Sequence, residues 1–234
     1  MTDCDFRSLP RVTKSREVLD ILQSPRRMMV NRYPGVCWLT RKDTFSSLIR
    51  LRNILDPACS VLESIEPRSF MLPEQVEEWQ ECRNADKKAI FIAKPRVGSE
   101  GNNCLLFNKL DELPSILKGN MIVQRYIANP LLLDGLKFDL RVYVLVTGIV
   151  NPQVYICEEG LARLCTEAYE PPTKANFNDF FKHLTNYSIN KHHDEYQDAY
   201  SKRTLTSCFE SLARRGVDVG TIIRNIKETC TKAM

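Results

Sequence analysis

IFIAKPRVGSEGNNCLLF, residues Ile90–Phe107, contains two apolar runs on either side of a segment rich in glycine and asparagine. Alternating apolar residues that give way to glycine are typical of a strand, a turn and a second strand. The intervening segment holds Gly98, Gly101, Asn102 and Asn103. The pattern therefore predicts a β-hairpin, and it leaves open whether the loop binds phosphate, has lost that ability or is an ordinary turn.

Lys94 stands at the end of the first predicted strand of this hairpin. A lysine in this position can meet phosphate oxygens, because the loop supplies backbone N–H donors and the ammonium supplies charge. A lysine can also lay its stem along the strand and keep its charged head in water. The sequence alone leaves both interpretations open.

KFDLR, residues Lys137–Arg141, places three charged residues at alternate positions. In a strand, alternation sends Lys137, Asp139 and Arg141 to one face. That face is either exposed to solvent, with ion pairs that each contribute less than about 1 kcal/mol, or it is the floor of a polar cleft. In a cleft, the basic side chains would bind phosphate or carboxylate, and Asp139 would bind a ribose hydroxyl.

The residues around KFDLR predict the centre of a sheet. Residues 130–166 form two long apolar stretches, rich in β-branched and aromatic residues, with a turn at Val150–Pro152. MIVQRYI, Met121–Ile127, predicts another strand, and SFML before Pro73 predicts a short one. The strands of this region are therefore expected to form one mixed or antiparallel sheet.

Apolar residues at helical spacing predict helices on both sides of these strands. The predicted helices are Lys14–Gln23, Thr44–Leu55, a segment after Pro73 with acidic residues in its first turn, a short one near Asp111–Leu117, Leu205–Leu212 and Ile222–Cys230. Asp43 or Thr44 is expected to cap the second of these helices, and Tyr33–Gly35 is expected to form a turn. The order indicates an α+β fold with helices flanking the sheet.

Composition excludes several classes of protein. The chain has 234 residues, 43% hydrophobic and 26% charged, and no apolar run of membrane-spanning length, which predicts a soluble globular protein. Its start lacks the apolar core of a signal peptide. The net charge of +4, without a basic stripe interleaved with aromatics, argues against nucleic-acid binding and is compatible with anionic ligands or an acidic protein partner.

Cysteine and histidine usage argues against a disulfide framework and a structural zinc site. The nine cysteines are scattered singly, no CxxC pair occurs, and the chain has only three histidines. Cys59, Cys104 and Cys165 have no recognisable His-Asn partners, so buried thiols are favoured over a nucleophile. HLTNYSINKHH, His183–His193, is dense in side chains that bond their own backbone, which is typical of a capped loop rather than a metal site.

Taken together, six blocks resemble the tubulin–tyrosine ligase-like family in their order along the chain. They are NRYPG…LTRKD, SFMLP, IAKPRVGSEG, VQRYIANPLLLDGLKFDLRVYVLVT, YICEEGLARLCTEAY and HLTNYSINK, and they span about Asn31 to Lys191. HLTNYSINK with LLLDGLKFDLRVYVLVT is most similar to the polyglutamylase branch. The resemblance also favours the cleft-floor interpretation of KFDLR.

The resemblance implies an ATP-grasp fold and an ATP-dependent ligase. Residues 1–30 would be an N-terminal lead-in and 31–234 the ligase domain, with 31–120 as N-terminal and central lobes and 121–234 as a partial C-terminal lobe. The reaction would add glutamate to glutamate side chains of tubulin tails through an acyl phosphate. The implied partners are tubulin or microtubules and free glutamate, with no nucleic acid and no membrane. The protein would be a monomer of the cytoplasm and cytoskeleton, including the cilium or basal body.

The resemblance also assigns roles to individual residues. The ATP side would comprise Lys42, Lys94, Glu100, Gly101, Gln124, Arg125, Tyr126, Ile127, Lys137, Asp139, Thr185 and Asn186. Among these, Lys42 and Lys94 would contact phosphates, and Gln124–Ile127 would face adenine, mostly through the backbone. Arg141 would lie beside the reaction centre, and Arg163 would bind the carboxylate of the incoming amino acid, a task suited to its planar fork. The amino-acid side would add Tyr187, Ser188 and Lys191.

Two departures from the family pattern stand out. The loop usually runs GSQGRGI or similar, whereas here it is GSEGNNC, so Asn103 replaces a glycine and Asn102 replaces a basic residue. Asparagine is the least costly non-glycine residue where φ is positive, so the loop is expected to survive.

The second departure concerns Mg²⁺, whose ligands in the family lie in a segment expected C-terminal to Met234, so no metal ligand is expected in this chain. A lobe without its last strands would expose a sheet edge and apolar surface. The alternative to a ligase is therefore a non-catalytic tubulin-binding module, a pseudoenzyme or fragment.

Overall fold

The computed structural model describes residues 5–7, 15–25, 28–31, 38–57, 65–98, 101–109, 119–148 and 151–233. The predicted turn at Tyr33–Gly35, the predicted short helix near Asp111–Leu117, and the residues Cys59, Glu100 and Val150 lie outside these ranges. None of the described helices is both long and apolar enough to cross a membrane.

Among the described residues, strands and helices alternate up to residue 95, strands follow one another from residue 91 to residue 164, and helices predominate after residue 164. The strands are β1 (Asp5–Arg7), β2 (Met28–Val30), β3 (Ser69–Leu72), β4 (Phe91–Pro95), β5 (Leu105–Phe107), β6 (Met121–Arg125), β7 (Leu132–Leu133), β8 (Leu136–Arg141), β9 (Val144–Thr147), β10 (Gln153–Ile156), β11 (Leu161–Leu164) and β12 (Lys202–Thr204). The helices are α1 (Ser15–Leu22), α2 (Lys42–Leu55), α3 (Val76–Ala85), α4 (Phe180–His183), α5 (Tyr187–Asn190), α6 (Asp198–Ser201), α7 (Leu205–Arg214) and α8 (Val219–Ala233). The fold is α+β, as predicted.

The predicted hairpin lies in a four-stranded antiparallel sheet of order β3-β6-β4-β5. One face of this sheet is covered by α3, whose Trp79 is 1% exposed. Trp79 packs edge-on against Phe91, with ring centroids 5.6 Å apart, and also contacts Phe107. This aromatic core anchors β4, so the end of that strand and Lys94 are held in a fixed position.

A second four-stranded sheet has the order β12-β11-β8-β7. Its apolar face packs on α7 through Leu133, Leu164, Cys208 and Leu212, all of which are buried. The opposite face carries the charged residues of β8. Because α7 covers the apolar face, the polar face of this sheet is the one that can line a cleft.

The two long strands predicted around Val150–Pro152 are each broken in two. β8 ends at Arg141 and β9 begins at Val144, while β10 pairs with β9 and β11 pairs with β8. The β9–β10 hairpin is a two-stranded sheet of its own, with Leu145 56% and Tyr155 52% exposed. The expectation of one sheet in this region is therefore wrong: its strands form two four-stranded sheets and this hairpin, all antiparallel. Among the described strands, β1 and β2 form a parallel pair of their own.

One local prediction needs correction. Neither Asp43 nor Thr44 caps α2: the helix begins at Lys42 after Arg41, and Asp43 in the first turn accepts hydrogen bonds from Arg41 and from the Thr44 N–H.

The two four-stranded sheets divide after Arg125, because β6, which starts at Met121, pairs between β3 and β4. The lobe boundary after residue 120 stays a prediction.

Candidate functional site

A cavity of about 450 Å³ lies between the two four-stranded sheets. This volume is within the range of small-molecule sites. The first sheet contributes Ile92, Lys94 and Gln124 to its lining, and the second contributes Lys137, Phe138 and Asp139. The remaining lining residues include Lys42, Pro67, Gly98, Gly101, Asn102, Cys104, Arg125, Tyr126, Ile127, Pro130, His183, Leu184, Thr185 and Asn186. The cavity thus collects most of the residues predicted on the ATP side.

Three lysines from three different elements converge on this cavity. Lys42, the first residue of α2, donates to the Gly98 carbonyl at 2.6 Å, and Lys94 on β4 donates to Gln124 Oε1 at 2.8 Å. Lys94 is partly buried, and burial lowers the pKa of its amine. The interpretation in which Lys94 extends into water is therefore wrong.

Lys137 on β8 is held from two sides. Its Nζ donates to the Tyr126 hydroxyl at 2.7 Å and to the His183 carbonyl at 2.9 Å. Burial lowers the pKa of Lys137 to about 8, and the nearby charge of Lys94 acts in the same direction. The charged form of Lys137 is costly to keep without a partner, so binding of an anion would stabilise the ammonium strongly.

Asp139 and Arg163 form a bidentate ion pair on the cavity side of the second sheet. Their strands pair directly, with Asp139 opposite Arg163, and Arg163 Nε donates to Asp139 Oδ1 at 2.8 Å. Thr185 Oγ1 donates to the other carboxylate oxygen at 2.7 Å. The two side chains expected to contact ribose and an amino-acid carboxylate therefore contact each other, and these two roles stay predictions.

The glycine–asparagine loop packs against the start of α5. Gly101 has φ +77°, and a Cβ at this position would lie 2.7 Å from Ile189 Cδ1 and 2.9 Å from Asn186 Oδ1. Asn103 has φ 55°, which confirms that this position takes the conformation of the glycine it replaces. Residues 101–103 of the loop therefore touch the HLTNYSINK segment at the rim of the cavity.

The segment Gln124–Ile127 lines the cavity with side chains that have different surroundings. Gln124 connects Lys94 to Ser69 Oγ, to which its Nε2 donates at 2.9 Å. Arg125 points away to an ion pair with Asp86, whereas Tyr126 is buried and Ile127 is 57% exposed. The expectation of contacts made mostly by the backbone overlooks the Gln124 and Tyr126 side chains.

The residues predicted beside the reaction centre lie outside the cavity lining. Arg141 is exposed at the end of β8. Tyr187 and Lys191 lie on and just after α5, with the Lys191 ammonium 5.6 Å and the Lys202 ammonium 3.9 Å from the centre of the Tyr187 ring. Ser188 is half-buried on the same turn. These residues lie next to Asn186, which lines the cavity.

Several residues of the site escape prediction from the sequence. Glu66 lies with Lys42 and Lys94 around a smaller cavity of about 150 Å³, and it accepts a hydrogen bond from Ser46 Oγ at 2.6 Å. Burial raises the pKa of Glu66. The sequence offers one indication of a buried partner for Glu66, the polar residue Ser46 beside the apolar stripe of α2. The structure shows that Ser46 is fully buried. His183 and Cys104 also line the main cavity, as a buried imidazole and a buried thiol.

The lining fits a ligand that combines anionic groups with an apolar part, as ATP does. Three ammonium groups supply charge and donors, and Ile92, Leu184 and Phe138 supply apolar surface. The described residues offer no group of three or more His, Cys, Asp or Glu side chains placed to hold a metal. Asp139 is already bound to Arg163 and Thr185, so this part of the chain does not fit Mg²⁺ by itself.

Several curated proteins similar to this chain are named tubulin polyglutamylases. The chain is 37% identical over 206 residues to tubulin polyglutamylase TTLL11 of Mus musculus, which covers 81% of this chain and 28% of that protein. It is 33% identical over 228 residues to tubulin polyglutamylase TTLL7 of Homo sapiens, 94% of this chain and 25% of that protein. A probable beta-tubulin polyglutamylase of Tetrahymena thermophila is 33% identical over 217 residues, 88% of this chain and 18% of that protein.

The chain thus spans between 18% and 28% of the length of these three relatives. A model of the tubulin-tyrosine ligase family matches residues 21–234, which include both four-stranded sheets and every residue that lines the cavity. This match, together with the identity to tubulin polyglutamylases over most of this chain, shows that the chain belongs to the tubulin-tyrosine ligase family.

Proposed function

We propose that this chain carries the nucleotide site of a tubulin polyglutamylase, a ligase of ATP-grasp type that joins glutamate to glutamate side chains of tubulin tails. The observation that supports it is the convergence of Lys42, Lys94 and Lys137 in one cavity between the two four-stranded sheets. Two such layers that clamp a polyanion are what an ATP-grasp enzyme needs. The names of the relatives support tubulin as the acceptor and glutamate as the added amino acid.

The proposed reaction has two steps. An acceptor glutamate carboxylate attacks the γ-phosphorus of ATP, which forms an acyl phosphate and releases ADP. The amine of the incoming glutamate then attacks the acyl carbon, the phosphate leaves, and the nitrogen loses a proton as the amide forms. The enzyme's task is to hold these groups in line and to neutralise developing charge.

Several residues that line the cavity have a proposed role in this reaction. Lys42, Lys94 and Lys137 neutralise the phosphates, because each has an N–H donor at the cavity wall. The apolar wall and Tyr126 accept the adenine. Asp139, with Thr185, contacts the ribose once ligand binding loosens the Asp139–Arg163 pair, which then frees the Arg163 fork for the carboxylate of the incoming amino acid.

The residues beside the cavity would form the acceptor side. Arg141 at the end of β8, and Tyr187, Ser188 and Lys191 near Asn186, are placed to meet the acidic tail and the incoming amino acid. Such an enzyme acts in the cytoplasm on the microtubule cytoskeleton, including that of the cilium. Free glutamate, tubulin and ATP with Mg²⁺ are its proposed ligands, and it acts as a monomer.

Incorporation of radiolabelled glutamate into microtubules in the presence of Mg-ATP tests the proposal. The purified chain is expected to transfer label in an ATP-dependent manner, and the acceptor peptide is identified by mass spectrometry. Transfer of a different amino acid would contradict the glutamate assignment, and failure to bind a nucleotide would contradict the whole proposal.

A non-catalytic tubulin-binding module is the second candidate. It is favoured by the lack of a carboxylate cluster for a metal among the described residues. This candidate predicts sedimentation of the chain with microtubules, without any transfer of glutamate. Removal of the acidic tails by subtilisin is expected to abolish this sedimentation, since the proposed contacts are to the tails.

A further inference from the structure

Tyr126, Lys137 and His183 form a compact buried group at the wall of the main cavity. The Tyr126 ring is 7% exposed and the His183 ring 1% exposed. Their rings meet edge to face with centroids 5.8 Å apart, and the Lys137 ammonium lies 4.1 Å from the centre of the Tyr126 ring. Three elements, the end of β6, β8 and α4, are thereby joined at one point.

The directions of the hydrogen bonds in this group follow from the chemistry of its members. An ammonium only donates, so the Tyr126 oxygen accepts from Lys137 Nζ at 2.7 Å. The Tyr126 O–H is then free to donate to His183 Nδ1, 3.1 Å away. For Nδ1 to accept, His183 must be neutral with its proton on Nε2, a tautomer assigned from the network. Burial and the charge of Lys137 lower the pKa of His183, which favours that neutral form.

The same bonds determine the orientation of the ammonium. A lysine has three N–H donors. Two of them are directed at the Tyr126 hydroxyl and the His183 carbonyl, both on the wall of the cavity. With two bonds fixed, rotation about the Cε–Nζ bond is stopped, and the third N–H points away from the wall. Lys137 lines the cavity, so that third donor is available to a ligand.

We propose that Tyr126 is a positioning residue, which together with His183 fixes the Lys137 ammonium so that one N–H is presented to an anionic group of the bound ligand. The inference rests on the proposed function, because it takes the ligand to be a nucleotide phosphate. Tyr126 itself touches no reacting atom. Its hydroxyl acts only through Lys137.

Tyr169 provides a matched comparison for Tyr126. It also packs edge to face on the His183 ring, with ring centroids 5.9 Å apart, close to the 5.8 Å of Tyr126. Its hydroxyl, however, donates to the Ala128 carbonyl at 2.6 Å. It also lies within hydrogen-bonding reach of the Tyr126 hydroxyl. Loss of the Tyr126 hydroxyl removes the bonds to Lys137 and His183, whereas loss of the Tyr169 hydroxyl leaves both of those bonds in place.

The position of Lys137 also determines a pH dependence. The groups that face its ammonium are Lys94 from β4, Tyr126 after β6, Asp139 on β8, Cys165 after β11 and His183 on α4. Burial and Lys94 favour the neutral amine, whereas Asp139 and the hydroxyl of Tyr126 favour the ammonium. Removal of the hydroxyl therefore shifts the loss of charge to lower pH, and affinity for an anion is lost earlier as pH rises.

The test measures binding of a non-hydrolysable ATP analogue, adenylyl imidodiphosphate, by isothermal titration calorimetry between pH 6 and pH 9.5. Wild type, Y126F and Y169F are compared, and urea unfolding confirms that each is folded. Because a hydrogen bond to a charged group is lost, Y126F is expected to bind about five- to tenfold more weakly at pH 7. The basic limb of its pH profile is expected at lower pH. Y169F is expected within about twofold of wild type, with an unchanged limb.

A second pair of variants tests the relay from its other end. H183Q keeps a side-chain acceptor for the Tyr126 hydroxyl, whereas H183L removes it. H183Q is expected to retain more nucleotide affinity than H183L at equal stability. Equal affinity of Y126F and Y169F, or of H183Q and H183L, would overturn the proposal.

A measurement without nucleotide separates this inference from the proposed function. Competitive labelling with acetic anhydride, followed by mass spectrometry, gives the titration of Lys137 in the ligand-free chain. A lower midpoint in Y126F than in Y169F supports the positioning role even if wild type binds no nucleotide, in which case only the proposed function fails. Equal midpoints together with normal nucleotide binding overturn the inference alone.

Discussion

At the scale of single residues, the partly buried Lys94 contributes a positive charge to the wall of the main cavity, and the partly buried Glu66 lies beside it. Lys94 and Glu66 line the same small cavity next to the larger one, and each acts on the pKa of the other toward its charged form. Burial opposes this for both groups. Such a pair contributes little net stability, but it keeps a positive charge at the cavity wall before any ligand arrives.

Replacement of Lys94 by methionine tests the contribution of this charge. K94M keeps the volume of the stem and removes the ammonium, so nucleotide affinity is expected to fall about tenfold to a hundredfold, the value of one or two charge-assisted hydrogen bonds. Calorimetric titration with ADP measures the change.

K88M is the matched control, since Lys88 is exposed shortly before the same strand. It is expected to bind ADP like wild type. Equal affinities of K94M and K88M would show that Lys94 makes no contact with the ligand.

The Arg163 fork is the second feature that is decided by one side chain. R163K keeps the charge but loses the planar fork, which pairs with Asp139 here and which the proposed function assigns to the carboxylate of the incoming amino acid. Glutamate transfer is expected to fall at least about tenfold, because a loss of one charge-assisted bond is of this size. R203K is the control, since Arg203 pairs with Asp134 outside the cavity lining. If both variants transfer glutamate equally, Arg163 has no role in the reaction.

At the scale of elements, the contact between the glycine–asparagine loop and α5 closes one end of the cavity. G101A adds a methyl group that would overlap Ile189 and Asn186 at a φ of +77°. G135A adds the same group at a φ of +79°, where nothing lies within 4 Å. Both variants carry the same backbone strain, of the order of 1 kcal/mol, and differ only in the clash.

G101A is therefore expected to weaken nucleotide binding several-fold more than G135A, and its clash is expected to cost additional stability in urea unfolding. The comparison isolates the effect of the loop position from that of strain. Nucleotide affinity that is unchanged in G101A would mean that the loop does not need its contact with α5.

The patterns that the sequence predicts well are those in which neighbours along the chain determine the outcome. Helix α2 and the hairpin β4–β5 follow from periodicity and turn residues, and Asn103 takes the positive φ expected of it. The ion pair Asp139–Arg163 and the burial of Glu66 were not predicted, because each depends on a partner more than 15 positions away. A side chain's partner across a sheet is set by register, which periodicity does not reveal.

At the scale of the whole molecule, the cavity joins two layers that have separate cores. The aromatic core of Trp79 and Phe91 supports the first sheet, and the cluster of Leu164 and Leu212 supports the second. Lys137 on β8 of the second sheet is hydrogen-bonded to Tyr126, directly after β6 of the first sheet, and to His183 on α4. A ligand that contacts lysines of both sheets would therefore hold the two layers together.

The final prediction is a rise in thermal stability when a nucleotide binds. At a hundred times its Kd a ligand stabilises the folded chain by about 2.7 kcal/mol, and for a chain of this size about 1 kcal/mol shifts Tm by roughly 2–4 °C. ADP is thus expected to raise Tm by about 5–10 °C in differential scanning fluorimetry. Adenosine is expected to do much less, since it lacks the phosphates that the three lysines would bind. The shift with ADP should persist in EDTA, because the ammonium groups of the three lysines would bind the phosphates without a metal. A shift of equal size with adenosine would place the binding energy in the base and refute the phosphate role of the lysines.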